Sequence, residues 1–496
     1  MTISLKLSAL LPSISDIPAH IDREISGLAL DSRLVKPGDL FFACKGTHLD
    51  GRQFIDAVVA KGAAAIVAEA SSANTTYSLQ DNIPIFPVHN LNHRISHIAA
   101  NFYGHPAKAL RIVGITGTNG KTSSSHFIAG ALHQLGVTTG VIGTLGCGIY
   151  GHIQPSNLTT PDAITLQASF ADFVKQSAKV VAMEVSSHSL DQGRVDDVPF
   201  EVAIFTNLTR DHLDYHGDMA SYGAAKRRLF ESPHLKHAII NVDDPFGREL
   251  IESLPRQETI YAYGVGHRVM QASRPLIYAD DLHLDISGMH ARVHTPWGKG
   301  DLHTGLIGHF NLSNILAVLT TLCLLDVPFK DALSSLTHLK PVAGRMQALG
   351  GKAKPLVIVD YSHTPDSLEK ALIALKQHCE GQLYCIFGCG GDRDKGKRPM
   401  MAKIAEQYAD HVIVTDDNPR HESPEQIVAD ILPGFAEPTK IIVQHDRSKA
   451  IQEIIQCAVA GDCILIAGKG AETYQQIGDT KIPFSDIEKV QQSLLV

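Results

Sequence analysis

One stretch constrains this chain more than any other: "RIVGITGTNGKTSSSHFIAGALHQLG", residues 111–136. An apolar run, a glycine-rich loop and an amphipathic segment follow one another, which is the order of a buried strand, a tight loop and a helix. Inside it, "GITGTNGKT" fits G-x-x-x-x-G-K-[ST], with Gly114, Gly120, Lys121 and Thr122 at the defining positions and a shorter loop opening at Gly117. Glycines let main-chain N–H groups turn inward around phosphate oxygens, and the helix N-terminus adds its positive end. Lys121 pairs with β- and γ-phosphate charge, and the Thr122 hydroxyl can ligate magnesium. The competing account is a chance glycine turn; the strand before and the helix after weigh against it.

A loop of this kind needs a parallel sheet to hold it, and the rest of the chain supplies strands. "DLFFAC" and "AAIVAE" flank the helical "RQFIDAVVAKG" in the first hundred residues, and "YGHPAKAL" reads as a linker. "KVVAMEVSS", "VAIFTNL" and "HAIINVDD" are buried-strand candidates after the loop. Between about 275 and 305 the pattern turns to alternation, as in "LHLDIS" and "HARVHT", which predicts antiparallel strands. A long helix, "NLSNILAVLTTLCLL", follows. From "PLVIVDYSH" onward "LYCIFG", "HVIVTD", "KIIVQH" and "CILIAG" alternate with helices, the pattern of a doubly wound parallel sheet. The expectation is an α/β protein of three domains at 1–107, 108–340 and 341–496.

Length and composition agree: 496 residues, 44% hydrophobic and 19% charged, describe a globular chain with several cores. The formal charge of −8 argues against a general nucleic-acid binder. No apolar run is long enough to cross a bilayer, and the start lacks the charged and apolar regions of a signal peptide, so a cytoplasmic protein without membrane insertion is expected. The eight cysteines form no CxxC pair, and Cys385 and Cys463 sit in apolar runs, as buried reduced thiols do.

Polar groups at strand ends are the next candidates. Glu184 closes "VVAMEVSSHS", and "TNLTRDHLDYHG" offers His212 with Asp211, Asp214 and His216. Either alone is more often a hydrogen-bonded loop residue; two after strands near a phosphate loop favour a magnesium site. Lys226 in "YGAAKRRLF" reads as a solvated helix face. In "VTDDNPRHESPEQI", Asp417, Asn418, Pro419 and Arg420 follow a buried strand; alone, they read as an ordinary Asn-Pro turn.

Taken together, "GTNGKTS", "MEVSSHSLDQGRV", "NLTRDHLDYHG", "YGAAKRRLF", "GHFNLSN", "GRMQ" and "VDYSHTPDSL" resemble the Mur ligases, in their order and over essentially the whole chain. The resemblance implies a UDP-binding N-terminal domain, a central ATPase domain and a C-terminal Rossmann-like domain. It implies ATP and Mg2+ as cofactors, with an acyl phosphate on the D-Glu side chain of UDP-MurNAc-L-Ala-D-Glu attacked by an amino acid. Within the family, "LDSR", "TTPD" and "DNPR" point to meso-diaminopimelate as that amino acid. No obligate protein partner is evident.

Carried over residue by residue, the resemblance gives Gly117, Thr118, Asn119, Gly120, Lys121, Thr122 and Ser123 to ATP. Asn311, Arg345 and Asp360 join them around the nucleotide. Thr122, Glu184, His212 and Lys226 go to the metal, Lys226 as a carbamate. Leu30, Ser32, Thr47, His48 and Leu49 match the uridine end, and Thr159, Thr160, Ser186, Gln192 and Arg194 the muramoyl-dipeptide. Arg393, Asp417, Asn418, Pro419, Arg420, Gly468 and Glu472 match the amino-acid site, where Arg420 would fork onto the distal carboxylate that lysine lacks. Ala471 stands where the family usually has His. The alternatives are the same ligase using L-lysine, a folylpolyglutamate synthetase-like ligase, and a nucleotide-dependent switch or motor.

Overall fold

In the computed structural model, residues 3–12, 17–46, 49–72, 76–156, 158–254, 259–265, 274–285 and 288–495 are described. They fall into two compact units, one of residues 1–114, 137–203 and 228–236, the other of residues 115–136, 204–227 and 237–496.

In the first unit the run "DLFFA" forms the strand Asp39–Ala43 and is buried at every position. Both faces of its sheet are covered: Leu40 and Phe42 pack with Val67, Phe86 and Ile95, while Phe41 and Ala43 pack with Val58, Ile66 and Ala68. A strand covered on both faces is apolar throughout instead of alternating, which is why periodicity cannot separate it from a short helix. The sheet has five strands in the order Gly27–Ala29, Asp39–Ala43, Ala65–Ala70, Ile83–His89, Ser78–Gln80. All pairings are parallel except the last. The same unit holds Thr139–Gly143 parallel to Val180–Glu184. The helix Ala163–Lys175 starts where Asp162 accepts from the N–H groups of Ile164 and Thr165, both at 3.0 Å.

The second unit begins with the phosphate loop and the helix Lys121–Gln134. His237–Asn241, Thr259–Val265 and Leu276–Asp285 run parallel, and Gly288–Thr295 and Gly298–Thr304 then return antiparallel, as the alternating sequence predicts. Part of "LHLDIS", residues 286–287, lies outside the described residues. The predicted long helix is His309–Leu324.

The C-terminal sheet has six strands, ordered Gln347–Gly350, Leu356–Asp360, Cys463–Ala467, Leu383–Phe387, His411–Val414, Ile442–Val443. Only its first pairing is antiparallel. Helices cover both faces: Leu368, Leu372 and Met401 pack on Ile358, Phe387 and Leu465, whereas Ile451, Ile455 and Val490 pack on Val357, Ile386 and Ile464. That is the doubly wound arrangement, whose ligands lie beyond the carboxyl ends of the strands. Cys385 and Cys463 are buried free thiols in this sheet, and all eight cysteines are free. Among the described residues, no helix is long and apolar enough to cross a membrane.

Candidate active site

The phosphate loop is fixed by its neighbours before any ligand arrives. Gly117 has φ 147°, and a Cβ there would lie 1.9 Å from Thr206 Oγ1. Gly120, with φ 88°, leaves the same kind of room for Asn314. Thr118 N–H donates to the Asn207 carbonyl (2.8 Å), Asn119 N–H to Asn207 Oδ1 (2.9 Å), and Thr206 Oγ1 to the Asn119 carbonyl (2.6 Å). Lys121 folds over the loop and donates to the carbonyls of Gly117 and Thr118, both at 2.8 Å. Thr122 Oγ1 accepts from Arg345 Nη2 (3.0 Å), whose guanidinium lies 4.2 Å over the Tyr361 ring.

A cavity of about 680 Å³ opens beside this loop. Asn119, Gly120, Ser123, Asn311, Arg345 and Asp360 line this volume of cofactor size, whereas Gly117, Thr118, Lys121 and Thr122 are not among its lining residues. Asp360 Oδ1 accepts from Met346 N–H (2.6 Å), and Asn311 Nδ2 donates to the Ile307 carbonyl (2.8 Å). Asn207, Asn314 and Asp366 also line the cavity. Asn207 and Asp366 escape the sequence because polar residues just after a strand or at a helix start are ordinary caps; Asn314 lies inside the helix His309–Leu324. The nearest signal was Pro365 after Thr364, a helix start whose Asp366 accepts from Asn119 Nδ2 at 3.0 Å.

Lys226 corrects the solvated-face expectation. It is 1% exposed and donates to the Gly117 carbonyl at 2.9 Å, with its ammonium 4.3 Å above the Tyr222 ring. Burial and the like charge of Lys121 push its pKa well below the ordinary lysine value, with Asp211 opposing. The helix Met219–Arg227 turns Lys226 inward, while Arg227 is half-buried and Arg228, two residues on, is exposed.

His212 has a left-handed backbone, φ 55°, beside the buried carboxylate of Asp211. Asp211 Oδ2 lies 3.4 Å from His212 Nε2 and 3.5 Å from His363 Nε2, and Oδ1 lies 3.7 Å from Lys397 Nζ. Burial would raise the Asp211 pKa; the His363 hydrogen bond and the surrounding positive charge outweigh it and hold the carboxyl well below its usual range. The sequence marked Asp211 only as a neighbour of His212.

In the first unit, Glu184 is buried, with Oε1 accepting from Thr144 N–H (2.8 Å) and Oε2 from Thr144 Oγ1 (3.1 Å). Thr159 Oγ1 is 3.1 Å from Thr144 Oγ1, and Thr160 Oγ1 donates to the Glu184 carbonyl (2.9 Å) and accepts from Ser186 N–H (3.1 Å). Arg194 donates to the Thr160 carbonyl and to Gln192 Oε1, both at 2.9 Å. Thr159, Thr160, Glu184, Ser186, Gln192 and Arg194 thus form one network. Ser32 gives its carbonyl to Lys61 Nζ (2.8 Å), Leu30 packs against the sheet core, and Leu49 is exposed. Thr47 and His48 lie outside the described residues.

Among the described residues, no three His, Cys, Asp or Glu side chains gather as a metal site. Within the second unit, Thr122 Oγ1 is an oxygen donor and His212 adds a nitrogen, a chemistry that suits a hard ion keeping much of its water; Glu184 is a carboxylate of the first unit. A protonated Lys226 is no ligand; its carbamate would bring two oxygens.

The segment after the strand His411–Val414 is more than a turn. Asp417, Asn418 and Pro419 are buried, and Arg420 has φ 54°. Its main chain is gripped by the hairpin Tyr474–Ile477/Thr480–Pro483: Arg420 N–H donates to the Gln476 carbonyl (3.0 Å) and Gly478 N–H to the Arg420 carbonyl (2.7 Å). The guanidinium donates to the Gly391 carbonyl at 2.7 Å. Asn418 Nδ2 donates to Glu472 Oε2 (2.8 Å), and Gly468 allows Asp417 close, since a Cβ there would lie 2.5 Å from Oδ2. Arg393 is exposed on the neighbouring loop, donating to its own neighbour's carbonyl at Asp392 (2.9 Å). The structure therefore gathers Asp417, Asn418, Pro419, Arg420, Gly468 and Glu472. Lys469, at the centre of this group, went unnoticed in the sequence.

A glycine phosphate loop on a cofactor-sized cavity, followed by a doubly wound domain with charged groups at its strand ends, defines an α/β nucleotide-dependent enzyme class. Three family models match in succession: the Mur ligase family catalytic domain over residues 24–103, the Mur ligase middle domain over 115–322, and the Mur ligase glutamate ligase domain over 344–470. A Coxiella burnetii protein called UDP-N-acetylmuramoyl-L-alanyl-D-glutamate–2,6-diaminopimelate ligase is 49% identical over 470 residues, covering 95% of this chain and 96% of its own. A Pseudomonas aeruginosa protein of the same name is 48% identical, covering 96% of each. A solved structure under that name is 35% identical with a TM-score of 0.70, covering 99% of both chains. The chain belongs to the Mur ligase family.

Proposed function

We propose that this protein is a cytoplasmic ATP-dependent ligase joining meso-2,6-diaminopimelate to the D-Glu side-chain carboxylate of UDP-MurNAc-L-Ala-D-Glu, in peptidoglycan precursor synthesis. Similarity of nearly half the residues, over nearly the full length, to proteins of that name carries the assignment. Residues 1–107 would take the uridine end, 108–340 the ATP and 341–496 the incoming amino acid.

A carboxylate is a poor electrophile, so the reaction begins by transferring the γ-phosphoryl group of ATP to the D-Glu carboxylate oxygen, with ADP leaving. The diaminopimelate amine then attacks the acyl carbon. That attack forms the C–N bond and gives a tetrahedral intermediate, which collapses to the amide by breaking the C–O bond to phosphate, while the amine proton passes to solvent. The enzyme's part is alignment and charge neutralisation. Lys121 and the loop amides serve the phosphates, and Asn311, Arg345 and Asp360 line the nucleotide cavity. The Thr160 network would orient the dipeptide, and Arg420 would receive the distal carboxylate of diaminopimelate. Thr122, Glu184, His212 and carbamylated Lys226 would hold magnesium, which supplies positive charge at the phosphate oxygens.

Lys226 suits that modification. Carbamylation needs a neutral amine to attack CO2, forming an N–C bond and releasing a proton, and burial beside Lys121 favours the neutral form.

The test is ADP release with each component omitted in turn. Turnover that needs both the UDP-muramoyl-dipeptide and diaminopimelate is expected; equal turnover with L-lysine would give the chain to the lysine-adding alternative, and turnover with neither substrate to a switch or motor.

A further inference from the structure

Lys469 is fully buried, yet it is neither in the phosphate loop nor among the groups assigned to a substrate above. Its ammonium donates to Asn418 Oδ1 at 3.0 Å and to Glu472 Oε2 at 2.8 Å. Asn418 Oδ1 also accepts from Gln476 N–H (2.9 Å), while its Nδ2 donates to the same Glu472 Oε2 (2.8 Å). The amide thus has one satisfied orientation, and Glu472 Oε2 is occupied twice. Glu472 Oε1 takes no hydrogen bond among the described residues, and the Glu472 side chain keeps 22% of its exposure. Lys469 therefore leaves one carboxylate oxygen available to a ligand and turns the other inward.

The charge matters as much as the direction. Asp417 and Glu472 put two carboxylates at this end of the sheet. The far end of diaminopimelate is a zwitterion, whose carboxylate two unbalanced acids would repel; the far end of lysine is a bare ammonium, which they would attract. At the separations inside one site and an effective dielectric near 20, one unit charge changes such a preference by about tenfold or more. We infer that Lys469 is a positioning residue that sets amino-acid specificity, by neutralising Glu472 and aiming it so that the site accepts a zwitterionic rather than a purely cationic side chain. This rests on the amino-acid ligase assignment above. Specificity here is a difference between two affinities, and Lys469 acts on both with opposite sign.

The test compares kcat/KM for diaminopimelate and for L-lysine in the wild type, Lys469→Met and Lys469→Gln. Met removes the charge and the donors; Gln keeps a donor and removes the charge, and it serves if the Met variant fails to fold. Both should lower the diaminopimelate-to-lysine ratio by about tenfold or more, mainly through KM for the amino acid, while KM for ATP stays within about twofold. A ratio that stays at the wild-type value in a folded variant overturns the inference, as does an ATP requirement that moves in step. Failure of both variants to fold would assign Lys469 to the fold and overturn it too. Wild-type protein that shows no diaminopimelate-dependent ADP release would defeat the ligase assignment itself, before any variant is made.

Discussion

Two lysines in the same unit are equally hidden and chemically opposite. Lys226 is 1% exposed and Lys469 0%. Lys469 meets a carboxylate at 2.8 Å. Lys226 meets a main-chain carbonyl at 2.9 Å and feels the charge of Lys121, and among the described residues no carboxylate comes within ion-pair distance. Burial costs a cation its hydration in both places. What differs is the repayment, so the partner decides which lysine sits in an ion pair and which is driven toward the neutral amine. Fractional exposure alone would have put both in one class.

The largest break in this contrast should come from the phosphate loop. Lys121→Ala should abolish ATP-dependent ligation while leaving UDP-substrate affinity within about twofold, because the role proposed for Lys121 is at the phosphates. Calorimetry showing equal loss of UDP-substrate binding would contradict the division. The same variant removes the like charge beside Lys226, so the Lys226 amine should become more basic and need a higher pH to take up labelled CO2, followed by carbon NMR. An unchanged pH dependence would mean that burial alone sets Lys226.

Next in size, Lys226→Ala should lower kcat by roughly a hundredfold or more, in the range of a lost preorganised charge. A short carboxylic acid added in solution should restore part of it, since the proposed carbamate supplies a carboxylate-like anion. A bare ammonium in electron density of a nucleotide-bound crystal would sink the carbamate.

Arg420→Ala should cost diaminopimelate about 2–5 kcal/mol in kcat/KM, as for a lost charge-assisted pair, with ATP barely affected. Lysine should lose little. If both amino acids fall by the same factor, Arg420 only holds the turn.

The smallest effect concerns a third hidden cation. Arg398, fully buried, donates to Glu422 at 2.9 and 3.0 Å and to Asp430 at 2.7 Å. The Arg398 hydrogen bond holds the Glu422 carboxyl at about 2, against an ordinary 4.5. A depressed carboxylate stabilises the fold above its unfolded pKa, so this contribution is complete above about pH 4.5 and fades as pH falls toward 2. Glu422→Gln should lower Tm by a few degrees at pH 7, and the gap to wild type should close in acid. A gap that stays constant with pH would mean Glu422 acts by shape and not by charge.

Much of this was legible in the residues, for reasons that differ by place. "DLFFA" and "CILIA" announce buried strands because apolar runs have few other uses, and the glycines at 117 and 120 mark places where a side chain has no room. Lys226 could not be read from periodicity, since one inward turn of a short, polar helix leaves no trace in an "AAKRR" pattern. Lys469 and Asp211 depend on partners far along the chain, Asn418 and His363, and no local pattern encodes such meetings. The assignment of Lys226 to chemistry came from resemblance; its burial came only from the fold.

The left-handed Arg420, gripped by the hairpin at 474–483, bears on any attempt to retarget the enzyme. Four letters, "DNPR", look like a portable cassette, but their geometry is held by main-chain atoms of Gln476 and Gly478 and by the close passage of Gly391 beneath Pro419. Grafting the four onto a relative without that hairpin would transfer the letters and leave the shape behind. Libraries aimed at a new amino acid should therefore vary the loop and the hairpin as one inherited module, keeping the glycines at 390, 391 and 468 fixed.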